Sequence, residues 1–553
     1  MLLEKISIRE KVSYALGDAS ANIAWRGVAT FLFIFYTDVF GLTPAGVGLL
    51  MMIARFSDGV SDVLMGIVGD HTQTKYGKFR PWILWTAVPL GIILSLLFTN
   101  PDWSPGWKVA YAYTTYILFT LIYTANNIPY GALMAVMTGD DKERVKIGSF
   151  RMVGAFAGGM IVQGSLLLLV SYFGNINPTV QVEPIKESKY MVVVSAPQDV
   201  ANVNIHTKEN VATFLSMGEW APNDTLPKEL ISKSYVQDLV KECDNQATVG
   251  KSFSMKANYS YAFVVEGEKD LDASAITIID QSKGYSKSIY ALSVVLVLCL
   301  FITFYNTKER ISPPAKQESN LKKDLWELVT NKPWLVLLFV GLLFNIFNNI
   351  KQGITVIYFT HYIHNQILAS SYMVALMLAS IGGAMITTPL SNQIGKKNLF
   401  IAALVMAGVA NSMLCFFGPT EISMIFVFGI LSEVFAAILP TLFFTMLGDT
   451  ADYSEYVNGR RATGLVYSAG SFATKFAGGI AAYIIGMVLS SYGYDAKDLV
   501  TVQGAVPGIV MLMSWIPAIF TMLAAALMVI YPLGKEKMAQ MTAELQARRA
   551  SNE

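Results

Sequence analysis

Histidine, cysteine and charge are all scarce in this chain. Its four histidines are His71, His206, His361 and His364, and none joins a carboxylate or a cysteine in a catalytic spacing. That sets an enzyme aside. His361 and His364 lie one turn apart at the outer edge of an apolar run, where interfacial residues are a better reading than a metal pair. The three cysteines, Cys243, Cys299 and Cys415, lack any metal-type or CxxC spacing. Cys299 and Cys415 fall in apolar runs as packing residues and Cys243 stands alone, which excludes a disulfide framework. Only 15% of the 553 residues are charged, against about 25% in soluble domains. The net charge is +1 with no basic block, so nucleic acid is not the partner. No small-residue cleavage site follows the first apolar run, which begins after Gly17 and reads as a retained helix.

What is present is apolar. Hydrophobic residues make up 53% of the chain and the mean hydropathy is +0.46. Apolar runs of about 20 residues suit a hydrocarbon core, where helices satisfy their own backbone polar groups. Six spans precede residue 306, over 19–40, 44–69, 82–99, 108–138, 147–174 and 289–306. Six more follow, over 334–362, 367–390, 398–417, 422–448, 463–491 and 507–533. Lysine and arginine cluster after every even span, for example Lys75, Lys78 and Arg80 after the second and Lys396 and Lys397 after the eighth. The alternate short loops hold little beyond Lys108 and Lys497, which places both termini in the cytoplasm.

The expected architecture is an all-α membrane protein of twelve transmembrane helices in two six-helix bundles, which resembles the major facilitator superfamily. Helices one to five occupy 1–174, helix six 288–306, a cytoplasmic linker 307–333, the C-terminal bundle 334–533 and a cytoplasmic tail 534–553. The remaining stretch, 175–287, is too long and too patterned for a loop. Its alternating runs at Tyr190–Val194 and Ala275–Ile279, with a helix around Pro227–Glu242, predict a small α+β domain outside the membrane. It would cap the outer vestibule or dock a periplasmic partner.

Ionisable residues inside a bilayer cost several kcal/mol unless paired or wetted, and so mark ion or substrate paths. Arg55, Asp58 and Asp62 share one face of span two at i, i+3 and i+7. Two carboxylates one turn apart suit a small cation or a shared proton, and the plain alternative is an ion pair of Arg55 with one aspartate. Span four holds Thr124, Asn126, Asn127, Pro129 and Tyr130, suited to sugar hydroxyls or to interhelical hydrogen bonds. Span one adds Asp18, Asn22, Trp25 and Arg26; span seven adds Asn345, Asn348, Asn349, Lys351 and Gln352; span ten adds Glu433. Arg26 either pairs with an acid or reads an anionic group of the substrate. Lys475, deep in span eleven, needs a partner, which an aspartate of span two would supply across the halves.

Several stretches resemble the glycoside–pentoside–hexuronide:cation symporters, the melibiose permease-like branch of the superfamily. They are Gly17-Asp18, Tyr36-Thr37-Asp38-Val39-Phe40-Gly41, Ala54-Arg55 with Asp58 and Asp62, Tyr76 to Trp82, and Asp449 to Glu455 followed by Lys475. The likeness covers nearly the whole membrane portion and leaves out 175–287. It implies a cation site of Asp58, Asp62, Ser61 and Thr124, faced by Lys475, and a sugar-side arginine at Arg151. Asn22, Asn127 and Gly131 stand where the permease has two acidic residues and a tryptophan, so the sugar is expected to differ and, given Arg26 and Arg151, to be acidic.

The expected function is cation-coupled symport of a glycoside or related sugar across a bacterial inner membrane by alternating access, with no cofactor. The sugar contacts Asn22, Trp25, Arg26, Asn127, Arg151, Lys351 and Lys475. Sodium or a proton drives it, with lithium as a further candidate. Arg55, Asp449, Asp452, Glu455, Arg460 and Arg461 are expected to hold a gate. Two rivals remain: an amphipath or lysolipid carrier on the same scaffold, and a sugar sensor that binds without transporting.

Overall fold

The computed structural model describes residues 6–138, 141–176, 178–186, 189–197, 199–206, 213–220, 248–249, 253–266, 273, 277–310, 330–458, 463–495 and 499–551. The first half comprises α1 (Ile8–Ile34), a π-helical turn at Phe35–Val39, α2 (Pro44–His71), α3 (Arg80–Leu97), α4 (Pro105–Met137), α5 (Asp141–Gly174) and α6 (Gln281–Asn306). The second comprises α7 (Lys332–His361), α8 (Gln366–Ile394), α9 (Lys396–Ser412), α10 (Ile422–Asn458), α11 (Thr463–Ser491), α12 (Leu499–Met513) and α13 (Trp515–Val529). A polar helix, α14 (Lys535–Ser551), follows.

Local chemistry sets the helix starts. Thr43 caps α2 by accepting from Gly46 N, with Pro44 in the first turn. Asn331 caps α7 through Trp334 N at 3.1 Å, followed by Pro333. Asp280 caps α6 through Lys283 N at 2.9 Å, and Asn365 caps α8 through Leu368 N at 3.0 Å. The last span is broken at Ser514, which leaves carbonyls without helical partners in the membrane. Asn411 of α9 donates to Met513 O at 3.0 Å and Ser514 O at 2.6 Å, which satisfies them.

Among the described residues nine helical segments are long and apolar enough to cross a membrane, drawn from α3 and α5 to α13. Of the helices outside that set, α1, α2 and α4 carry Asp18 and Arg26, Arg55, Asp58 and Asp62, and Thr124, Asn126 and Asn127. Small residues allow close packing within the first half. Gly154 and Gly158 of α5 lie against the backbone of Ala15 and Ala19 in α1, one turn apart, where any side chain would collide.

The halves meet through α1 with α7, α2 with α11 and α5 with α8. Gly48 of α2 sits on the Ala482–Tyr483 backbone of α11, Gly486 of α11 sits on Pro44, and Ala45 N donates to Ser490 Oγ at 3.1 Å. These contacts lie at the end of the bundle away from the chain termini. At that end a single buried apolar core runs through both halves, from Val28 and Phe35 to Ile357, Leu489 and Ile509. A second core, around Trp334, Phe344, Phe400, Phe443 and Met528, belongs to the C-terminal half near the termini.

Between α5 and α6 the chain forms β1 (Thr179–Lys186), β2 (Lys189–Ser195), β3 (Val200–His206), β4 (Thr213–Trp220), β5 (Thr248–Val249), β6 (Phe253–Met255), β7 (Ser260–Glu266) and β8 (Thr277–Asp280). One sheet has the order β1-β2-β7-β4-β5 and the other β6-β3-β8, with antiparallel pairing throughout. Tyr190, Val192 and Val194 alternate inward against Tyr261, Phe263 and Ile278, as their period of two requires. The strands expected near Tyr190–Val194 and Ala275–Ile279 correspond to β2 and β8; the expected helix at Pro227–Glu242 lies outside the described residues. β8 runs directly into α6, and an Asn175–Ile279 bridge ties it to the end of α5.

Candidate functional site

The charged residues of the membrane core resolve into pairs. Arg55 Nη1 donates to Asp58 Oδ2 at 2.9 Å, both side chains being buried, and Arg55 Nη2 donates to Tyr116 OH at 3.2 Å. This is the plain ion pair that the spacing left open. Ser61 donates to the Asp58 backbone carbonyl at 3.0 Å, so in this conformation its hydroxyl serves the helix.

Asp62, one turn further along α2, behaves differently. Its Oδ1 accepts from Thr124 Oγ1 of α4 at 3.0 Å, and its Oδ2 is paired with Lys475 Nζ of α11. The side chains of Asp62 and Lys475 are 20% and 18% exposed. The pair therefore crosses between the halves at a partly exposed point, one turn from a buried pair within α2. A carboxylate with a hydroxyl beside it supplies the oxygen ligands that small cations take.

The sugar-side residues are also engaged. Arg151 Nε donates to Asp18 Oδ1 at 3.2 Å, and the guanidinium lies 5.6 Å from the Tyr130 ring, itself stacked on Tyr14. Asp18 thus neutralises the charge that was expected to read an acidic sugar. Lys351, buried, reaches Ser432 Oγ at 3.2 Å and Glu433 Oε2 at 3.3 Å, and Ser380 donates to Glu433 Oε1 at 2.8 Å. Lys351 is neutralised in the same way.

Asn22 turns its amide back to Asp18 O at 3.0 Å. The Arg55 guanidinium covers the Trp25 ring at 4.3 Å, with Tyr123 packed beside it at 5.2 Å, so the indole is not an open platform for a sugar. Asn126 bridges to Thr86 of α3 at 2.7 Å and is a helix-to-helix bond. Asn127 is half-buried and makes no hydrogen bond among the described residues. Arg26 is left over. Its one hydrogen bond among the described residues is to Gln352 Oε1 of α7, at 3.4 Å, and Gln352 in turn donates to Thr30 Oγ1 at 2.8 Å. Four cation–carboxylate pairs fill the core; Arg26 is a fifth cation whose direct bond among the described residues is to an amide, with the charge of Glu433, already held by Lys351, nearby.

The expected gate differs. Asp449 binds Lys396 of α9 through both oxygens, at 2.8 and 2.7 Å, so this pair lies inside the C-terminal half and does not bridge the two. Asp452 and Glu455 lie on the same helix, because α10 continues to Asn458 where a loop was expected. Arg460 and Arg461 lie outside the described residues. Arg55 sits at the crossing of α2 and α11, its stem against Gly479.

Sequence reasoning missed four arrangements. The Glu309 carboxylate accepts from the backbone N–H groups of Lys78, Phe79 and Arg80 at 2.8–2.9 Å, plugging the start of α3. Glu10 takes a two-pronged bond from Arg310 at 2.7 and 2.9 Å, while Lys11 and Lys146 hold Glu143 at 2.5 and 2.8 Å and bring its carboxyl down to about 2. At the far end His361, read as interfacial, instead meets Asp38 and Tyr494.

A family model described as MFS/sugar transport protein matches residues 13–196 and 247–535, leaving out the middle of the segment between α5 and α6. The chain is 27% identical over 544 residues to an isoprimeverose transporter of Lactiplantibacillus pentosus, covering 98% of this chain and 92% of that protein. It is 28% identical over 530 residues to the inner membrane symporter YicJ of Escherichia coli (strain K12), covering 95% and 92%. A solved bacterial homologue of the human lysosomal transporter Spinster, in an inward-facing and unoccupied conformation, aligns with a TM-score of 0.61 at 11% identity, over 96% of this chain and 98% of that one. At that identity the likeness is one of fold.

Proposed function

The chain belongs to the MFS/sugar transport protein family, and on that premise we propose that it is a cation-coupled symporter. It carries a glycoside or related sugar bearing an anionic group into the cytoplasm by alternating access. Sugar transport by the isoprimeverose transporter and symport by YicJ support this reading. The termini face the cytoplasm of a bacterial cell and the sheets between α5 and α6 face outward, a sidedness that the placement of Lys and Arg supports.

The Asp62–Lys475 pair carries the proposal. Without a coupling ion, the Lys475 ammonium neutralises Asp62 across the halves. A sodium ion or a proton arriving at Asp62, with Thr124 beside it, takes over that neutralisation and releases Lys475. The freed ammonium then offers a charge and three donors to the solute. Each ligand thereby raises the affinity for the other, and a coupling of about 1–3 kcal/mol is the usual scale. Arg26, the core cation that bonds no carboxylate directly among the described residues, is the group that receives the anionic part of the sugar. An apolar cavity of the kind an amphipath carrier needs is a poorer description of a core filled with ion pairs.

The test is Asp62→Asn in vesicles. The variant is expected to lose concentrative, gradient-driven uptake while sugar exchange down its own gradient persists. Uptake that keeps its full dependence on the imposed cation gradient would show that Asp62 is not the coupling site.

A further inference from the structure

We propose that Asp38, His361 and Tyr494 form the outer gate of the carrier, a hydrogen-bonded latch between the halves that must part before sugar can enter from outside. It rests on the sidedness adopted above and is independent of which solute or ion is carried.

Asp38 lies in the π-helical turn Phe35–Val39 that ends α1, an irregularity that concentrates at functional positions because it turns a side chain out of helical register. Its Oδ2 accepts from His361 Nε2 at 2.8 Å, and its Oδ1 accepts from Tyr494 OH at 2.8 Å and from Thr37 Oγ1 at 2.6 Å. The Tyr494 hydroxyl also lies 2.8 Å from His361 Nε2. Asp38 and His361 are 16% and 10% exposed. Asp38 belongs to the first half, whereas His361 closes α7 and Tyr494 follows α11, so two of the carboxylate's three donors come from the other half. Among the described residues no lysine or arginine pairs with Asp38. Apart from the local bond from Thr37, its charge is met by hydrogen bonds that exist only while this end is shut.

The neighbours fit a seam that opens. Gln366 of α8 donates to Tyr285 OH of α6 at 3.3 Å, and Ala45 N donates to Ser490 Oγ at 3.1 Å, both across the halves. His364, in the turn after α7, is held below the ordinary histidine range by burial and then by His361, so it adds no positive charge. Bonds from a hydroxyl and an imidazole to a carboxylate are strong when dry and exchange readily for water once the seam is wet. The latch closes the carrier without locking it.

The experiment uses the full chain with Cys243, Cys299 and Cys415 changed to serine and one reporter cysteine added, labelled by a membrane-impermeant maleimide. Ser490→Cys reports the outer seam. Gly148→Cys, about one turn from Arg151 toward the cytoplasmic end of α5 and facing open space, reports the inner side. Asp38→Asn, His361→Phe and Tyr494→Phe are each expected to raise outside labelling at position 490 about ten-fold and to lower inside labelling at position 148. Tyr494→Phe removes a single hydroxyl and keeps the test valid if the other two variants fold poorly. Unchanged labelling at 490 in all three variants, or a parallel rise at both reporters, would overturn the gate. Labelling at 490 only from the cytoplasmic face would overturn the sidedness on which it rests, whatever the result for Asp62.

Discussion

At the residue scale, the account turns on which charges in the membrane core are satisfied. A cation at such depth without an ion-pair partner of its own costs about 3 kcal/mol or more, and Arg26 has the Gln352 amide as its direct bond and only the charge of Glu433, already held by Lys351, nearby. Such a group gains most from a ligand that brings its own negative charge. Arg26→Gln is therefore expected to weaken binding of an anionic sugar by about 10–100-fold, the range of a charge-assisted bond, and to leave a neutral analogue almost unchanged. Competition binding with an acidic and neutral pair of sugars measures it; equal losses for both would remove Arg26 from recognition. The sequence made part of this legible. Lys475 required an acid, and the helical spacing of Asp58 and Asp62 offered two. Which one it takes was not legible, because Arg55, at i−3 from Asp58, wins that carboxylate by proximity. Arg151 and Lys351 read as free cations because their partners, Asp18 and Glu433, lie 133 and 82 positions away. His361 was read as interfacial for the same reason: Asp38 is 323 positions distant.

At the element scale, the spans were legible because run length and start signals agree, as at Thr43-Pro44 and Asn331-Lys332-Pro333. The errors have one cause. α1 begins at Ile8 and α10 ends at Asn458, well beyond the apolar runs, because their polar turns are stabilised by distant partners. Glu10 has Arg310, Lys11 has Glu143 and Asp449 has Lys396. The break in the last span at Ser514 has a local cause that went unread, Pro517, which has no N–H for the Met513 carbonyl, while the amide that satisfies the freed carbonyls belongs to α9. Asn411→Leu leaves two buried carbonyls without a donor and is expected to destabilise the protein by about 1–3 kcal/mol. A lower Tm of the detergent-solubilised protein would register this; an unchanged Tm would mean that the break is held by other contacts.

At the scale of the whole molecule, both halves share one apolar core at the end carrying Asp38, His361 and Tyr494, while the C-terminal half keeps its own near the termini. The structure is thus shut at the far end, with the Asp62–Lys475 pair spanning the halves below the closure. In the proposed mechanism, rocking about that pair exposes it to either side in turn, and the coupling ion decides whether Lys475 holds the carboxylate or releases it. The most direct measurement is uptake by right-side-out vesicles over a panel of neutral and acidic sugars, with sodium and proton gradients imposed separately. The account predicts that at least one acidic sugar accumulates above its external concentration under one gradient and only equilibrates without it. Equilibration of every transported sugar under both gradients, with no accumulation, would contradict it.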